Sequence, residues 1–322
     1  MRAGRIKAYG DVDVLNIEEI DLPAPEAGQA QIKIEAAGVN FIDIYFRKGQ
    51  YPAALPSTLG MEAAGVVEAV GPDATEVRVG DRVVYAMEQG SYAEWANVEA
   101  WKLTPIPDGV SSNVAAAAFL QGLTAQYLSH STWPLKSGEY ALVHAAAGGV
   151  GQLLVQMAVA RGAQVIATVS TEEKAQLARE AGAQHVVRYT EQDFAEEAKR
   201  ITDGRGVDVV YDSVGESTFW KSLDSLRPRG LLALYGQASG PVPPIDLQIL
   251  NLKGSLYVTR PSLASYASTR KELLGRAGDL FTGIESGALK VRIDKEYSLD
   301  DVREAHKYME GRQTKGKVLL IP

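Results

Sequence analysis

The chain has 322 residues and no cysteine. That absence excludes disulfides, thiolate-ligated zinc and a thiol nucleophile. Histidine is scarce as well: the four residues, His130, His144, His185 and His306, are scattered without metal-ligand spacing. No excess of basic charge is present. The formal net charge is −7, which argues against a dedicated nucleic-acid surface. Long uninterrupted apolar runs are also missing. Residues 141–160, ALVHAAAGGVGQLLVQMAVA, have the length of a membrane span but carry His144, Gln152, Gln156 and a glycine pair. A buried strand, a tight turn and a buried helix account for that mixture better than a span does. The opening MRAGRIKAYG is basic with no apolar core behind it, so no secretory signal is expected and the expected location is cytoplasmic. No fixed-period repeat or low-complexity tract interrupts the chain.

What is present divides into two regions, as the length leads one to expect. The first third is β-rich. AQIKIEAAGVN, GVVEAVG and GDRVVYA alternate apolar and polar residues, the pattern of half-buried strands. Pro23, Pro25, Pro52, Pro56, Pro105 and Pro107 mark loops and bar long helices there. From about Ser111 the pattern changes to an Ala-rich helix and then to alternating strands and helices. YALVHA, AQVIATVS, HVVRY, GVDVVYDSVG and GLLALYG read as strands, with GSLYVTR as a last one. GGVGQLLVQMAVARG, TEEKAQLAREAG, EQDFAEEAKRITDG and STFWKSLDSLRP read as helices. Repeated βα units predict an α/β fold with a doubly wound parallel sheet covered on both faces. The tail from about Pro261 holds two helical segments and a final strand, GKVLLIP. It is expected to pack back onto the N-terminal β region.

The stretch LVHAAAGGVGQLLVQMA, residues 142–158, carries the chemistry. It reads as a strand, a glycine-rich turn and a helix, the context of a dinucleotide loop. Gly148 and Gly149 let the backbone turn and its amides approach a pyrophosphate, and Gly151 permits close packing of helix on strand. The helix N-terminus adds partial positive charge. Ala146 stands where such loops often have their first glycine. The next strand, QVIATVS, ends in Ser170 with no carboxylate for ribose hydroxyls. A 2′-phosphate would therefore meet no repulsion, and Ser170, Lys174, Arg188 and Tyr189 are available nearby. This combination favours NADPH over NADH. Arg188 reads equally as a phosphate contact or as a solvated residue.

The domain order, together with AAGVNFIDIYFRKGQYP (36–52), PSTLGMEAAGVVEAVG (56–71), VGDRV (79–83), QGLTAQYL (121–128), HAAAGGVGQL (144–153), VVYDSVG (209–215), SLRPRG (225–230), NLKGSLYVTRPSL (251–263) and KGKVLLIP (315–322), resembles the zinc-free quinone oxidoreductase branch of the medium-chain dehydrogenases/reductases, the zeta-crystallin-like enzymes. The resemblance covers the whole chain. It implies a Rossmann domain over 123–261 and a GroES-like catalytic domain over 1–122 and 262–322. It also addresses the metal: zinc alcohol dehydrogenases place Cys and His at the positions of Asn40 and Met61, neither of which supplies such a ligand, so no metal is expected. Carried over, the resemblance puts Asn40, Asp43 and Tyr45 beside nicotinamide and substrate, and Thr124 near the carboxamide. Ala147, Gly148, Gly149, Val150 and Gly151 would cover the pyrophosphate, and Ser170, Lys174 and Tyr189 the adenosine phosphate. Gly236, Gln237, Tyr257, Val258, Thr259 and Lys317 would also border the cofactor, with Gln237 where the family often has Asn.

Structural readings stand beside these: Asp43 as a loop anchor, Tyr45 as a packing aromatic, Glu62 as a hydrogen-bonding group in its strand, and Asp212 and Ser213 as braces. The implied activity is metal-free, NADPH-dependent reduction of quinones. A reductase of activated C=C bonds is the alternative, and a non-catalytic cofactor- or RNA-binding protein is a third reading. A homodimer through the edge strand of the Rossmann sheet is expected, without membrane association.

Overall fold

The computed structural model describes residues 1–322. The chain opens with β1 (Arg2–Ile6), β2 (Leu15–Glu19), β3 (Gln29–Val39), α1 (Phe41–Arg47), β4 (Ser57–Thr58), β5 (Glu62–Val70), β6 (Arg82–Ala86), β7 (Trp95–Glu99), β8 (Thr104–Pro105) and α2 (Ser112–Tyr127). The alternating part follows: β9 (Tyr140–Val143), α3 (Gly149–Ala160), β10 (Gln164–Val169), α4 (Glu172–Glu180), β11 (His185–Arg188), α5 (Phe194–Ile201), β12 (Val207–Asp212), α6 (Phe219–Ser225), β13 (Leu226–Leu234), α7 (Gln248–Leu252) and β14 (Tyr257–Thr259). The tail holds α8 (Leu263–Tyr266), α9 (Arg270–Glu285), β15 (Ile293–Ser298), α10 (Val302–Glu310) and β16 (Lys317–Ile321). Two compact units result, one of residues 1–123 and 267–322, the other of residues 124–266. No helix is long and apolar enough to cross a membrane.

The first unit is β-rich. Its larger sheet runs β15-β16-β3-β5-β6-β8, with β7 also paired to β3, and a smaller sheet runs β2-β1-β4. In β3 the residues Ala30, Ile32, Ile34 and Ala36 are all buried, the outcome their alternation dictates. Ala30, Ile32 and Ile34 join Val83, Tyr85, Leu299 and Val318 in one apolar cluster. The tail returns to this unit through β16, antiparallel to β3.

The second unit is a six-stranded sheet in the order β11-β10-β9-β12-β13-β14, parallel at every pairing. Counted within the unit, that order is 3-2-1-4-5-6, the doubly wound arrangement, whose direction reverses between β9 and β12. Side chains on the helices set their limits. The Thr171 hydroxyl accepts the N–H of Lys174 to cap α4, and the Asp193 carboxylate accepts two amides to cap α5. Gly182, at φ +104°, ends the turn after α4 in a conformation open to glycine.

Four elements differ from the sequence expectation. α1, a short helix, forms within the region read as β-rich, because Asn40 and Asp43 build a capping box for it. α2 passes into a π-type turn over Leu128–Thr132. β13 begins at Leu226 and carries Pro228, so the expected helix over 217–228 stops at Ser225. β15, IDKEYS, has no strong apolar alternation, and its strand state comes from parallel pairing with β16.

Candidate active site

In the second unit, the carboxyl ends of β9 and β12 flank the point where strand order reverses, the place where open α/β sheets bind ligands. After β9 comes His144, then Ala145 in a left-handed conformation at φ +49°. The Gly148 N–H donates to the Ala145 carbonyl at 2.9 Å, closing a tight turn. The Ala146 N–H donates to the Thr168 carbonyl at 3.2 Å, and the Gln152 amide donates to the Ala147 carbonyl at 2.7 Å. Gly151 is obligatory: a Cβ there would lie 2.3 Å from the Ala145 oxygen and 2.7 Å from the Ala146 Cα. A Cβ on Gly148 would meet only the Ala145 oxygen, at 3.2 Å, so its outer side is open. Gly149 begins a helix of twelve residues with no acidic side chain in its first turn. The amides of that turn have no intrahelical acceptor. Aligned peptide dipoles and these amides favour an anion over Gly148, Gly149 and Val150, which are half-buried.

At the end of β10, Ser170 is half-buried and Thr171 exposed. Parallel pairing sets Val169 opposite Arg188, and the Tyr189 N–H donates to the Val169 carbonyl at 3.1 Å. Ser170, Lys174 and Tyr189 are thus brought to one corner, with the Tyr189 ring 44% exposed. The nearest carboxylates are already paired. Glu172 accepts from Arg179 at 2.7 Å, and that contact holds its carboxyl below the usual range. Arg188 lies 2.6 Å from Glu191 and 3.5 Å from Glu172.

Beyond β12 and β13 the backbone is drawn tight. The Tyr235 N–H donates to the Asp212 carbonyl at 2.8 Å, and a Cβ on Gly236 would lie 2.5 Å from the Ser213 oxygen. Gln237 follows, half-buried. Through the register Val143–Tyr211–Ala233–Thr259, Thr259 stands level with the carboxyl ends of the central strands. Val258 and Tyr257 lie one and two residues further back on the edge strand, and Tyr257 is 59% exposed. Thr124 is buried on α2.

The first unit holds Asn40, Asp43, Tyr45 and Lys317. Asn40 precedes α1, and its amide donates to the Gly38 carbonyl at 3.1 Å and to Glu62 at 3.0 Å. The Lys317 ammonium donates to the Asn40 Oδ1 at 2.7 Å and to the Glu62 carboxylate. Glu62 takes its other oxygen to the Leu120 N–H at 2.5 Å. Glu62 and Lys317 are wholly buried. Gly38 makes room for them, since a Cβ there would lie 2.3 Å from Glu62 and 2.6 Å from Lys317.

Asp43 accepts the Asn40 N–H and the Tyr92 hydroxyl on Oδ2, both at 2.8 Å, while its buried Oδ1 has no partner. Behind Tyr92 stands His306, 3.1 Å away through Nε2, and Arg47 donates to its Nδ1 at 3.0 Å. Arg47 also reaches Glu310 at 2.8 Å. Since Arg47 donates to Nδ1, the His306 proton sits on Nε2 and points at the Tyr92 oxygen. Burial pushes the Asp43 carboxyl up to about 7, and burial with Arg47 takes His306 down to about 3. Tyr45 is buried in α1, in ring contact with Tyr51 at 5.5 Å and Phe41 at 6.4 Å.

The family model "Alcohol dehydrogenase GroES-like domain" matches residues 26–108, and the model "Zinc-binding dehydrogenase" matches residues 149–273. The quinone oxidoreductase of Salmonella typhimurium is 48% identical over 318 residues, 98% of this chain and 97% of that protein. The chain belongs to the quinone oxidoreductase family of medium-chain dehydrogenases/reductases. An Escherichia coli quinone oxidoreductase solved in complex with NADPH superposes at a TM-score of 0.98, with 46% identity and full coverage of both chains. A 2-haloacrylate reductase from a Burkholderia species is 44% identical over 328 residues, 99% of this chain and 98% of that one.

In this quinone oxidoreductase family member, the word zinc in the matched model does not fit the side chains. Asn40 has its amide nitrogen bonded to Gly38 and Glu62 and its oxygen bonded to an ammonium. Met61 is a buried thioether, and no group of three or more His, Asp or Glu is placed to hold a metal ion. A zinc ion has no ligand set there. The residues around Gly148, in contrast, suit a dinucleotide. Sequence reasoning did not find Tyr92, His306, Thr168 or Ser222, which are distant along the chain and carry no motif.

Proposed function

We propose that the protein is an NADPH-dependent quinone reductase that works without a metal. The observation that carries this reading is the pairing of an anion-accepting turn at Gly148 with a second strand that ends in Ser170 rather than a carboxylate. Identity of 46–48% to quinone oxidoreductases over nearly the whole chain supports it. When bound, the dinucleotide supplies a hydride. The chain's own residues bind and orient. The amides at the start of α3 take the pyrophosphate, and Gly236 and Gln237, with Thr259, border the cofactor further along the strand ends. Ser170, Lys174 and Tyr189 receive the adenosine 2′-phosphate. Arg188, paired with Glu191, acts by charge rather than by direct contact.

Reduction of a quinone by hydride leaves negative charge on oxygen, and one proton completes the hydroquinone. The Tyr45 hydroxyl is assigned to that oxygen as a hydrogen-bond donor. Asn40 and Asp43 hold the start of α1, and with it Tyr45, through the capping box and the Lys317–Glu62 pair. Reduction of an activated C=C bond is a second reading, favoured by the likeness to the 2-haloacrylate reductase. The test is oxidation of NADPH and of NADH with a panel of quinones and 2-alkenals, each with and without chelator. Quinone-dependent NADPH oxidation that ignores chelator supports the reading. Turnover with alkenals alone would replace it by the second.

A homodimer through β14 belongs to the same proposal. This strand is the sheet edge, and Leu247, Leu252 and Tyr257 beside or on it are 70%, 72% and 59% exposed. Unpaired edges and apolar surface of that kind call for a partner. A monomeric mass in sedimentation would refute it.

A further inference from the structure

A buried chain of hydrogen bonds lies under the nucleotide loop and is used by nothing described so far. His144, between β9 and the loop, meets the Thr168 hydroxyl at 2.8 Å through Nδ1 and the Ser222 hydroxyl at 3.0 Å through Nε2. Ser222 donates to the Asp212 Oδ2 at 2.9 Å, and Thr218 donates to the same oxygen at 2.7 Å. The Asp212 Oδ1 accepts the N–H groups of Val214 at 2.7 Å and Gly215 at 3.1 Å. His144, Thr168, Asp212 and Ser222 are all buried, and the imidazole stands near-perpendicular to the Phe194 ring, with ring centroids 4.7 Å apart.

The directions of these bonds follow from one another. Ser222 has a single hydrogen, and it goes to Asp212. Its oxygen therefore accepts from the His144 Nε2–H, which leaves Nδ1 to accept from Thr168. Burial holds His144 below its usual value, with Asp212 acting in the opposite sense, so the neutral form that this pattern needs is the one favoured.

Each end of the chain sits beside a segment assigned to the nucleotide. Thr168 lies two residues before Ser170, and the Asp212 carbonyl accepts the N–H of Tyr235, the residue before Gly236 and Gln237. His144 is the residue before the loop. We propose that His144 is a positioning residue for the dinucleotide: it fixes the distance between the pyrophosphate loop and the 2′-phosphate corner, so that both ends of NADPH are met at once. The inference rests on the nucleotide reading above and adds to it the residue that couples its parts. Loss of the Thr168 link frees the Ser170 end of β10, which NADPH uses and NADH does not. Loss of the Ser222 link frees the loops common to both.

The test is fluorescence titration of NADPH and NADH into the full-length protein and its variants, beside steady-state kinetics with a quinone. Thr168→Val should weaken NADPH about fivefold, the factor that corresponds to one buried hydrogen bond between uncharged groups, with little change for NADH. Ser222→Ala should weaken both to a similar degree. The effect should fall on KM for NADPH, with kcat at saturation changed less than KM. In a His144→Leu background, Thr168→Val should add nothing. If His144→Leu does not fold, the two hydroxyl variants carry the test alone. Equal affinity of wild type and both hydroxyl variants for NADPH would overturn the positioning role while leaving the nucleotide reading intact. Failure of the wild type to take up either dinucleotide would overturn the nucleotide reading, and this inference with it.

Discussion

Replacing Asp43 by Asn should add to the stability of the β-rich unit a steep pH dependence that the Asp43–His306 pair of the parent does not contribute. In the parent, burial raises the Asp43 carboxyl from 3.8 to about 7, against the lowering effects of Tyr92, the Asn40 N–H and Lys317; the Glu62 charge adds to the rise. His306, linked to it through the Tyr92 hydroxyl, moves the other way: burial, then the Arg47 charge, take it from 6.5 to about 3, with Glu310 opposing. Between pH 3.8 and 6.5 the folded protein therefore keeps a proton on Asp43 and none on His306, and the unfolded chain does the reverse. Each state binds one proton on the pair, so the pair contributes no slope of stability against pH.

Taken singly, the signs are opposite. Asp43, raised on folding, contributes stability that is full below 3.8 and is lost as pH rises through about 7. His306, depressed on folding, contributes stability that is full above 6.5 and is lost as pH falls through about 3. Asp43→Asn leaves only the second. The unfolded variant then binds one proton more than the folded one, and stability falls by about 1.4 kcal/mol per pH unit on acidification, about 3 to 4 kcal/mol across the window. His306→Gln should show the opposite slope. The unpartnered Asp43 Oδ1 explains why the parent accepts the proton without rearrangement: protonated there, it keeps both bonds to Oδ2. Urea unfolding at several pH values from about 4 to 6.5 measures this. The difference between variant and parent removes every other titrating group. A difference that stays constant over that range would refute the reasoning.

Three further outcomes are expected. Tyr45→Phe should lower quinone turnover by about 100-fold, the loss when one hydrogen-bond donor to a developing oxyanion is removed, with NADPH affinity nearly unchanged; unaltered kcat removes Tyr45 from the reaction. Gly151→Ala forces a Cβ to 2.3 Å from the Ala145 oxygen, so the turn must open and NADPH binding should fall at least about tenfold, as a displaced set of anion-binding amides requires; a titration equal to wild type would contradict the loop assignment. Lys317→Met strands the buried Glu62 carboxylate and should cost about 3 to 5 kcal/mol of stability in urea unfolding; an unchanged midpoint would show that the pair is not what holds Asn40.

Much of the fold is legible in the residues because local periodicity carries it. The alternation in β3, the glycine stops of the helices after β9 and β10 and the Thr171 cap of α4 each follow from short stretches, and repeated βα units leave few topologies. The Gly148 turn is legible for the same reason, since a strand, a tight turn and a helix are contiguous in the chain. β15 is not, because its IDKEYS sequence becomes a strand only through pairing with β16. Lys317 shows the limit at the site. The resemblance places it beside the cofactor; the fold adds its partners, Asn40 and Glu62, which hold its ammonium buried from solvent and which no local pattern names.

By itself, then, the sequence determined the class of fold, the glycine-rich turn between β9 and α3 and the lack of cysteine or clustered histidine ligands, since each depends on residues adjacent in the chain or on composition alone. Only the tertiary structure decided which buried polar groups meet. His144 joins Thr168, 24 residues away, and Ser222, 78 away, while Arg47 joins His306 across 259. Such partners are chosen by the need to satisfy every buried donor and acceptor once strands are packed side by side, and no local pattern records that choice.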